Sequence, residues 1–343
     1  MKRTGRSMLP IRGESITCKS IKGMTKDQWL ELRSHTIGGS EMGSIMGVNG
    51  YGSAYSVYCE RKGLFPAFEG NNMTEVGTYL EDFVARKFAD MTGKTIRRTE
   101  YIWYNSKHPH LHASPDRLVI EKNRAVAGLE VKTTGEFSMK KVRGADFPLQ
   151  YYTQCVQYMM VTELPLWYLI VFNRNMCEYH IFALTRDAAF EKPEWCEGAC
   201  VVPQSDMDAL QEAANDFWDC LETNTAPDPA GTTADDTTIK TVYADVVEGN
   251  ADLWGHELLL QQYTEAKEAA DAAAKEEKRL AQMIQLEMQG HEYGECMGYK
   301  VTYKMQPGKK TFDYKAAVAH DPELESFIKI GKPYRKFEVK KLL

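Results

Sequence analysis

The sequence predicts an α/β fold, a mixed sheet flanked by helices, followed by a C-terminal helical and basic appendage. Three observations carry this reading. Apolar residues at helical spacing from Thr74 to Met91 are followed by short alternating or apolar runs, and then by a second helix opened by Pro148. A stretch from Thr223 to Thr238, rich in Pro, Gly, Thr, Asp and Ala, interrupts every apolar period. Charge is divided unevenly: residues 300–343 hold 11 basic and 5 acidic side chains, net +6, in a chain of net −6, which leaves −12 on residues 1–299.

These signals divide the chain into a flexible tail over residues 1–23, a main domain over 24–222, a linker over 223–240 and a long helix with a basic region over 241–343. A helical region begins near Thr25. Val76, Leu80, Phe83, Val84, Phe88 and Met91 form the core face of the next helix, which Gly93 ends. Strands are expected around Glu100 to Tyr104, Arg117 to Ile120 and Ala127 to Thr133, and the helix opened by Pro148 runs to about Val161. Strands at Trp167 to Phe172 and Glu178 to Leu184 and a helix from Asp206 to Leu221 complete the domain.

His256 to Met288 reads as one helix about 50 Å long. Its Leu259, Tyr263, Ala266, Ala270, Ala273, Leu280 and Ile284 recur at four- and three-residue steps, broken at Glu277. Such a stripe predicts packing against the same chain, with a partner or oligomer contact as the alternative. Tyr299, Val301 and Tyr303 alternate with Lys300, Thr302 and Lys304, as in an exposed strand with a basic face. Lys309, Lys310, Lys332, Arg335, Lys336, Lys340 and Lys341 follow as candidates for neutralising duplex phosphates.

Composition removes several classes. At 343 residues, 43% apolar and 26% charged, the chain can bury a core without disulfide or metal staples. Its longest apolar run, Leu166 to Phe172, is far short of the ~20 residues of a membrane span. No apolar segment follows Lys2, Arg3 and Arg6 before Cys18, so no secretory signal is expected, and the expected location is the cytoplasm. The eight cysteines form no CxxC pair and read as free thiols. A net charge of −6 excludes a uniformly basic coat that binds nucleic acid indiscriminately.

The chemistry concentrates in Ser114-Pro115-Asp116 and Glu130-Val131-Lys132. If residues 117–120 and 127–133 form a hairpin around Lys122-Asn123-Arg124, facing residues have numbers that add to 246, and Asp116 lies opposite Glu130. Two carboxylates would then stand about 5 Å apart between backbones. Like charges so placed are destabilising unless a cation lies between them, and a hard divalent ion is the natural occupant. Glu130 and Lys132 share one strand face, with Val131 buried behind them and its carbonyl available to the site. Oxygen ligands, a phosphate and a nearby ammonium describe metal-assisted phosphodiester hydrolysis. The bland reading is a surface hairpin whose Glu130 and Lys132 merely pair. Glu81, on the border of its helix's apolar face, is a third candidate carboxylate, and Gln150, Gln154 and Gln157 share a face of the Pro148 helix that suits a phosphate or an attacking water. His108, His110 and His112 alternate, but Pro109 argues against a metal cluster.

Taken together, Gly77-Thr78-Tyr79-Leu80-Glu81, Ser114-Pro115-Asp116, Glu130-Val131-Lys132 and Gln154 within Tyr151 to Thr162 resemble, in order and spacing, the PD-(D/E)xK nuclease core. The best resemblance is to the phage lambda exonuclease and YqaJ-type viral recombinase family. Arg33 and Ile37-Gly38-Gly39-Ser40 are similar to its opening segment, and the likeness extends over about Trp29 to Leu221. It implies Mg²⁺ on Asp116, Glu130 and Glu81, two ions per site with Mn²⁺ as a substitute. It further implies that Lys132 and Gln154 serve the nucleophilic water, and that Arg33 and Ser40 hold a 5′ phosphate at a helix start. The implied activity is 5′-to-3′ exonucleolysis of linear duplex DNA, leaving 3′ single strands for recombination with a single-strand annealing protein. A ring-shaped homo-oligomer, a trimer, is implied with it. Arg117 departs from the pattern, since the family often has glycine after the aspartate. The alternatives are an endonuclease of restriction or repair type on the same core, or a non-catalytic scaffold that binds DNA ends.

Overall fold

The computed structural model describes residues 9–48, 50–66, 69–308, 313–327 and 329. Chain contacts divide it into two units, Met1–Val246 and Val247–Leu343. The first contains, in order, β1 (Ile16–Ser20), α1 (Lys26–Ser34), α2 (Gly39–Ile45), α3 (Ala54–Arg61), α4 (Asn72–Thr92), β2 (Ile96–Arg98), β3 (Tyr101–Asn105), β4 (His112–Ala113), β5 (Arg117–Glu121) and β6 (Arg124–Thr134). It continues with α5 (Glu136–Met139), α6 (Leu149–Thr162), β7 (Leu166–Asn173), β8 (Glu178–Thr185), β9 (Gly198–Val201), α7 (Gln204–Thr223) and α8 (Thr233–Val242).

The main sheet has six strands in the order β2-β5-β6-β7-β8-β9, with β6–β7 and β8–β9 parallel and the other pairs antiparallel. This is the mixed sheet flanked by helices that the sequence predicts. Its seed is the β5–β6 hairpin, whose turn residues Lys122 and Asn123 both take positive φ, 47° and 63°, as a tight primed turn requires. One sheet face packs on α6 in a core that includes Val156, Met159, Trp167, Leu169, Val171 and Phe182. The other face meets α4 through Val84, Ala85, Phe88, Leu129, Val131 and Ile170. Trp167 stands over Gly128, where any Cβ would collide with its ring. A residue larger than glycine there would push the ring out of the core at a cost of roughly 1–3 kcal/mol.

Four expectations change. The tail over 1–23 is not all loose, because Ile16–Ser20 pairs antiparallel with β3 and Ile11 is buried. The strand near Glu100 to Tyr104 belongs to this separate sheet, β1-β3-β4, rather than the main one. The linker over 223–240 contains α8, started by a Thr232–Asp235 capping box and docked on α3 through the buried Asp235, which accepts from the Ser53 hydroxyl. The first unit accordingly runs to Val246. On α4 only Val84, Ala85 and Phe88 are buried, while Val76, Phe83 and Met91 are exposed, and the first turns of the helix line a cleft.

The second unit contains α9 (Glu257–Met288), a hairpin of β10 (Tyr293–Cys296) and β11 (Tyr299–Thr302), and α10 (Tyr314–His320). The strand expected at Tyr299 therefore has a partner. On α9 the seam residues Leu259, Tyr263, Leu280 and Ile284 are exposed. Lys309, Lys310, Lys332, Arg335, Lys336, Lys340 and Lys341 lie outside the described residues. All eight cysteines are free. Among the described residues no helix is long and apolar enough to cross a membrane.

Candidate active site

Arg117, Leu118 and Val119 pair with Leu129, Gly128 and Ala127, so facing residues add to 246 up to a bulge after Val119. The register carries Asp116, one residue before β5, opposite Glu130. The ladder ends there, and the Asp116 carboxylate replaces the missing strand by accepting the Val131 N–H at 2.8 Å. Within a strand the N–H and C=O of one residue point to the same side, so the Val131 carbonyl faces the same way. Its side chain is buried against α4.

Glu130 and Lys132 project from the opposite face of β6. The Lys132 ammonium lies 2.7 Å from Glu130 Oε1, which also accepts from Gln154 of α6 at 2.7 Å. The other oxygen, Oε2, is buried without a hydrogen-bond partner. Only 2% of Glu130 is exposed, and a buried acceptor left without a protein donor is costly. Burial raises the Asp116 carboxyl well above the ordinary range; the charges of Glu130 and Glu81 add to this and Lys132 opposes it. Burial likewise raises Glu130, partly offset by Lys132. Burial works against the Lys132 charge, yet Glu130 and Asp116 hold its pKa above the usual lysine value. Lys132 is therefore a cation rather than a base.

The cleft around these groups, about 1350 Å³, is also lined by Ser40, Glu81, Tyr51 and, from α8, Thr233 and Thr237. Glu81 reaches it, but its carboxylate is held by Arg117 at 2.7 Å. Among the described residues no three His, Cys, Asp or Glu side chains converge as a ready metal set. Asp116 and Glu130 nevertheless suit a hard divalent cation, since both are carboxylates whose mutual repulsion a cation would relieve and one offers an unpartnered buried oxygen.

On the other side of α6, Gly39 lies so close that a Cβ would approach Tyr158 to 2.6 Å and Gln154 to 2.9 Å. The start of α2 is thereby set beside the residue that binds Glu130. Arg33 stacks on Trp29 at 4.3 Å, with its guanidinium against Gly38. Ser40 is exposed toward the cleft. The Gly38 N–H is not available to a ligand, because Glu41 accepts it at 2.8 Å.

Gln157 departs from the expected phosphate role. It is fully buried and donates to the carbonyls of Ile37 and His112, both at 2.9 Å, tying the α2 approach to β4. It shares a helix face with Gln154 but lies beneath Gly38-Gly39 rather than in the cleft. The three histidines do not cluster: His112 bonds Thr36 and its pKa is pushed down to about 3 by burial and by Arg33 and Arg61, His108 bonds Gln211, and His110 stacks on Trp218. Sequence reasoning missed the α8 wall. Its signal was the Thr232-x-x-Asp235 box ahead of Ile239 and Val242.

An aspartate at a strand edge facing Glu-x-Lys on the next strand, in a mixed sheet with helices on both faces, is the arrangement of a PD-(D/E)xK core. Residues 28–165 match the family model of the YqaJ-like viral recombinase domain. That segment of the chain is therefore similar to the YqaJ-like viral recombinase domain. Over 325 residues it is 27% identical to the uncharacterized protein YqaJ of Bacillus subtilis strain 168, covering 93% of this chain and 95% of that one. Among solved structures, an alkaline exonuclease from Laribacter hongkongensis matches with TM-score 0.44 and 17% identity over 58% of this chain and 94% of that one. A phage-related exonuclease from Haemophilus somnus 129PT matches with TM-score 0.36 and 13% identity, over 55% and 96%.

Proposed function

We propose that this protein is a Mg²⁺-dependent deoxyribonuclease that degrades linear duplex DNA from a 5′ end, leaving 3′ single strands for recombination. The observation that carries the reading is the buried Glu130, shared by Lys132 and Gln154 and left with one unpartnered oxygen beside Asp116. Asp116, Glu130 and the Val131 carbonyl would hold the ion, with Mn²⁺ as a substitute. Mg²⁺ in such a set polarises a phosphoryl oxygen and lowers the pKa of water.

The remaining roles follow from this chain's side chains. Lys132, held as an ammonium, orients the attacking water and neutralises charge that develops on the phosphoryl oxygens. Gln154 fixes the Glu130 carboxylate through its 2.7 Å hydrogen bond. Arg33 offers a forked cation to a 5′-terminal phosphate, with the Ser40 hydroxyl as a second contact. Exonuclease polarity, a ring-shaped homotrimer, a single-strand annealing partner and a bacterial or phage-infected host cell rest on the family resemblance alone.

The test is Mg²⁺-dependent digestion of linear duplex labelled separately at its 5′ and 3′ termini, beside the closed circular form. The expected result is early release of 5′ label, slow release of 3′ label and an intact circle. Cutting of the circle would make the enzyme an endonuclease. No metal-dependent cutting of either form would leave a DNA-end scaffold.

A further inference from the structure

Successive strand residues point to opposite faces, so the residue after Asp116 is directed away from Glu130 and toward α4. That residue is Arg117, only 3% exposed. Its Nη1 donates to Glu81 Oε1 at 2.7 Å and to the Asp116 carbonyl at 2.6 Å, and its Nη2 reaches Asp82 at 3.2 Å. Glu81 is a further carboxylate of the cleft whose charge bears on both Asp116 and Glu130, and it is already neutralised from behind. A guanidinium is charged at every accessible pH, and its planar fork fixes its partners. Drawing Glu81 onto a metal would cost the buried Arg117 its 2.7 Å partner and leave it only the longer 3.2 Å contact to the more exposed Asp82, which is costly in a low-dielectric site. Charge points the same way. When ionised, Asp116, Glu130, Glu81 and Asp82 carry four negative charges against the two positive charges of Lys132 and Arg117, a balance that one divalent ion already neutralises.

We propose that Arg117 holds Glu81 as a fixed ion pair, so that the cleft takes one divalent ion, on Asp116 and Glu130, with Glu81 outside its coordination. Arg117 is then a positioning residue that sets the ion count, where the family resemblance implies two. The inference rests on the metal-dependent reading above and deepens it.

The test is a Mn²⁺ titration of the metal-stripped full-length chain, with free ion followed by electron paramagnetic resonance and heat by calorimetry. Wild type should bind one ion. Glu81→Gln should leave the affinity of that ion within about threefold, roughly 0.6 kcal/mol. Arg117→Met, which keeps the volume and removes the charge, should bind a second ion that disappears when Glu81→Gln is added. Two ions on wild type, a loss of roughly tenfold or more for Glu81→Gln, or a folded Arg117→Met that still binds one ion would each overturn the proposal. If Arg117→Met does not fold, wild type and Glu81→Gln decide alone. Absence of any Mn²⁺ binding by wild type would overturn the metal-dependent reading itself, and this inference with it.

Discussion

The cleft has two walls, and each contains a buried carboxylate treated in the opposite way. On α8, Asp235 accepts from the Ser53 hydroxyl, the Thr232 hydroxyl and the N–H groups of Ala230 and Thr232. Burial opposes its charge, but these donors bring its pKa below the ordinary range. On β6, Glu130 keeps an unpartnered oxygen, and Asp116 beside it is raised by burial and by its neighbours' charges. A carboxylate whose acceptors are filled holds structure together, whereas one left short of donors or cations is a site awaiting a ligand.

The two walls should therefore respond to substitution with opposite signs. The largest effect is expected from Asp116→Asn, which should lower cleavage by ~10²-fold or more, as loss of one charge-stabilising group does. Without metal the same variant should melt higher than wild type at pH 8. A folded-state pKa raised above the unfolded value means that ionisation costs stability once pH exceeds the unfolded carboxylate range near 4. The gain in Tm should shrink as pH falls toward 4. A lower Tm at pH 8, with cleavage kept, would break the contrast.

Asp235→Ala should do the reverse, losing about 1–3 kcal/mol of stability through the unsatisfied donors it leaves behind. Because the Asp235 pKa is lowered, its contribution is present above the unfolded value and fades as pH drops through the folded one. The difference in Tm between wild type and variant should narrow in acid. Weaker DNA binding should accompany the loss, since Thr233 and Thr237 of α8 line the cleft. Unchanged melting would mean that α8 is not docked through Asp235.

A smaller and more selective effect is expected at Arg33. Arg33→Ala should slow digestion of 5′-phosphorylated ends roughly tenfold, with much less effect on 5′-hydroxyl ends, for the loss of one charged hydrogen bond. Equal slowing of both substrates would remove Arg33 from the phosphate pocket.

Which of these features the sequence displayed depended on how far apart the interacting residues lie. The Asp116–Glu130 pairing was legible because a hairpin centred on Asn123, with an alternating pattern on either side, defines a register over fifteen residues. The turn itself has two residues, Lys122 and Asn123, and next to it facing numbers add to 245; the bulge after Val119 supplies the one-residue shift that brings the sum to 246 and Asp116 opposite Glu130. Gln154 and Gln157 share a helix face, yet one meets Glu130 and the other two backbone carbonyls. That choice is made by the approach of Gly39 and Ile37 from more than a hundred residues away. Helix α8 was read as linker because Pro227, Pro229 and Gly231 precede it and its buried face is polar. Its anchor, Ser53, is 182 residues distant.

Lys132→Ala offers the most direct measurement, with cleavage of linear duplex and Mn²⁺ affinity read on the same preparation. If Asp116, Glu130 and Lys132 form a hydrolytic site in which the ammonium serves charge in the transition state, cleavage should fall by ~10² to 10³-fold while Mn²⁺ affinity stays within about threefold of wild type. Cleavage within about threefold of wild type would contradict it, because the ammonium bonded to Glu130 would then have no part in the reaction.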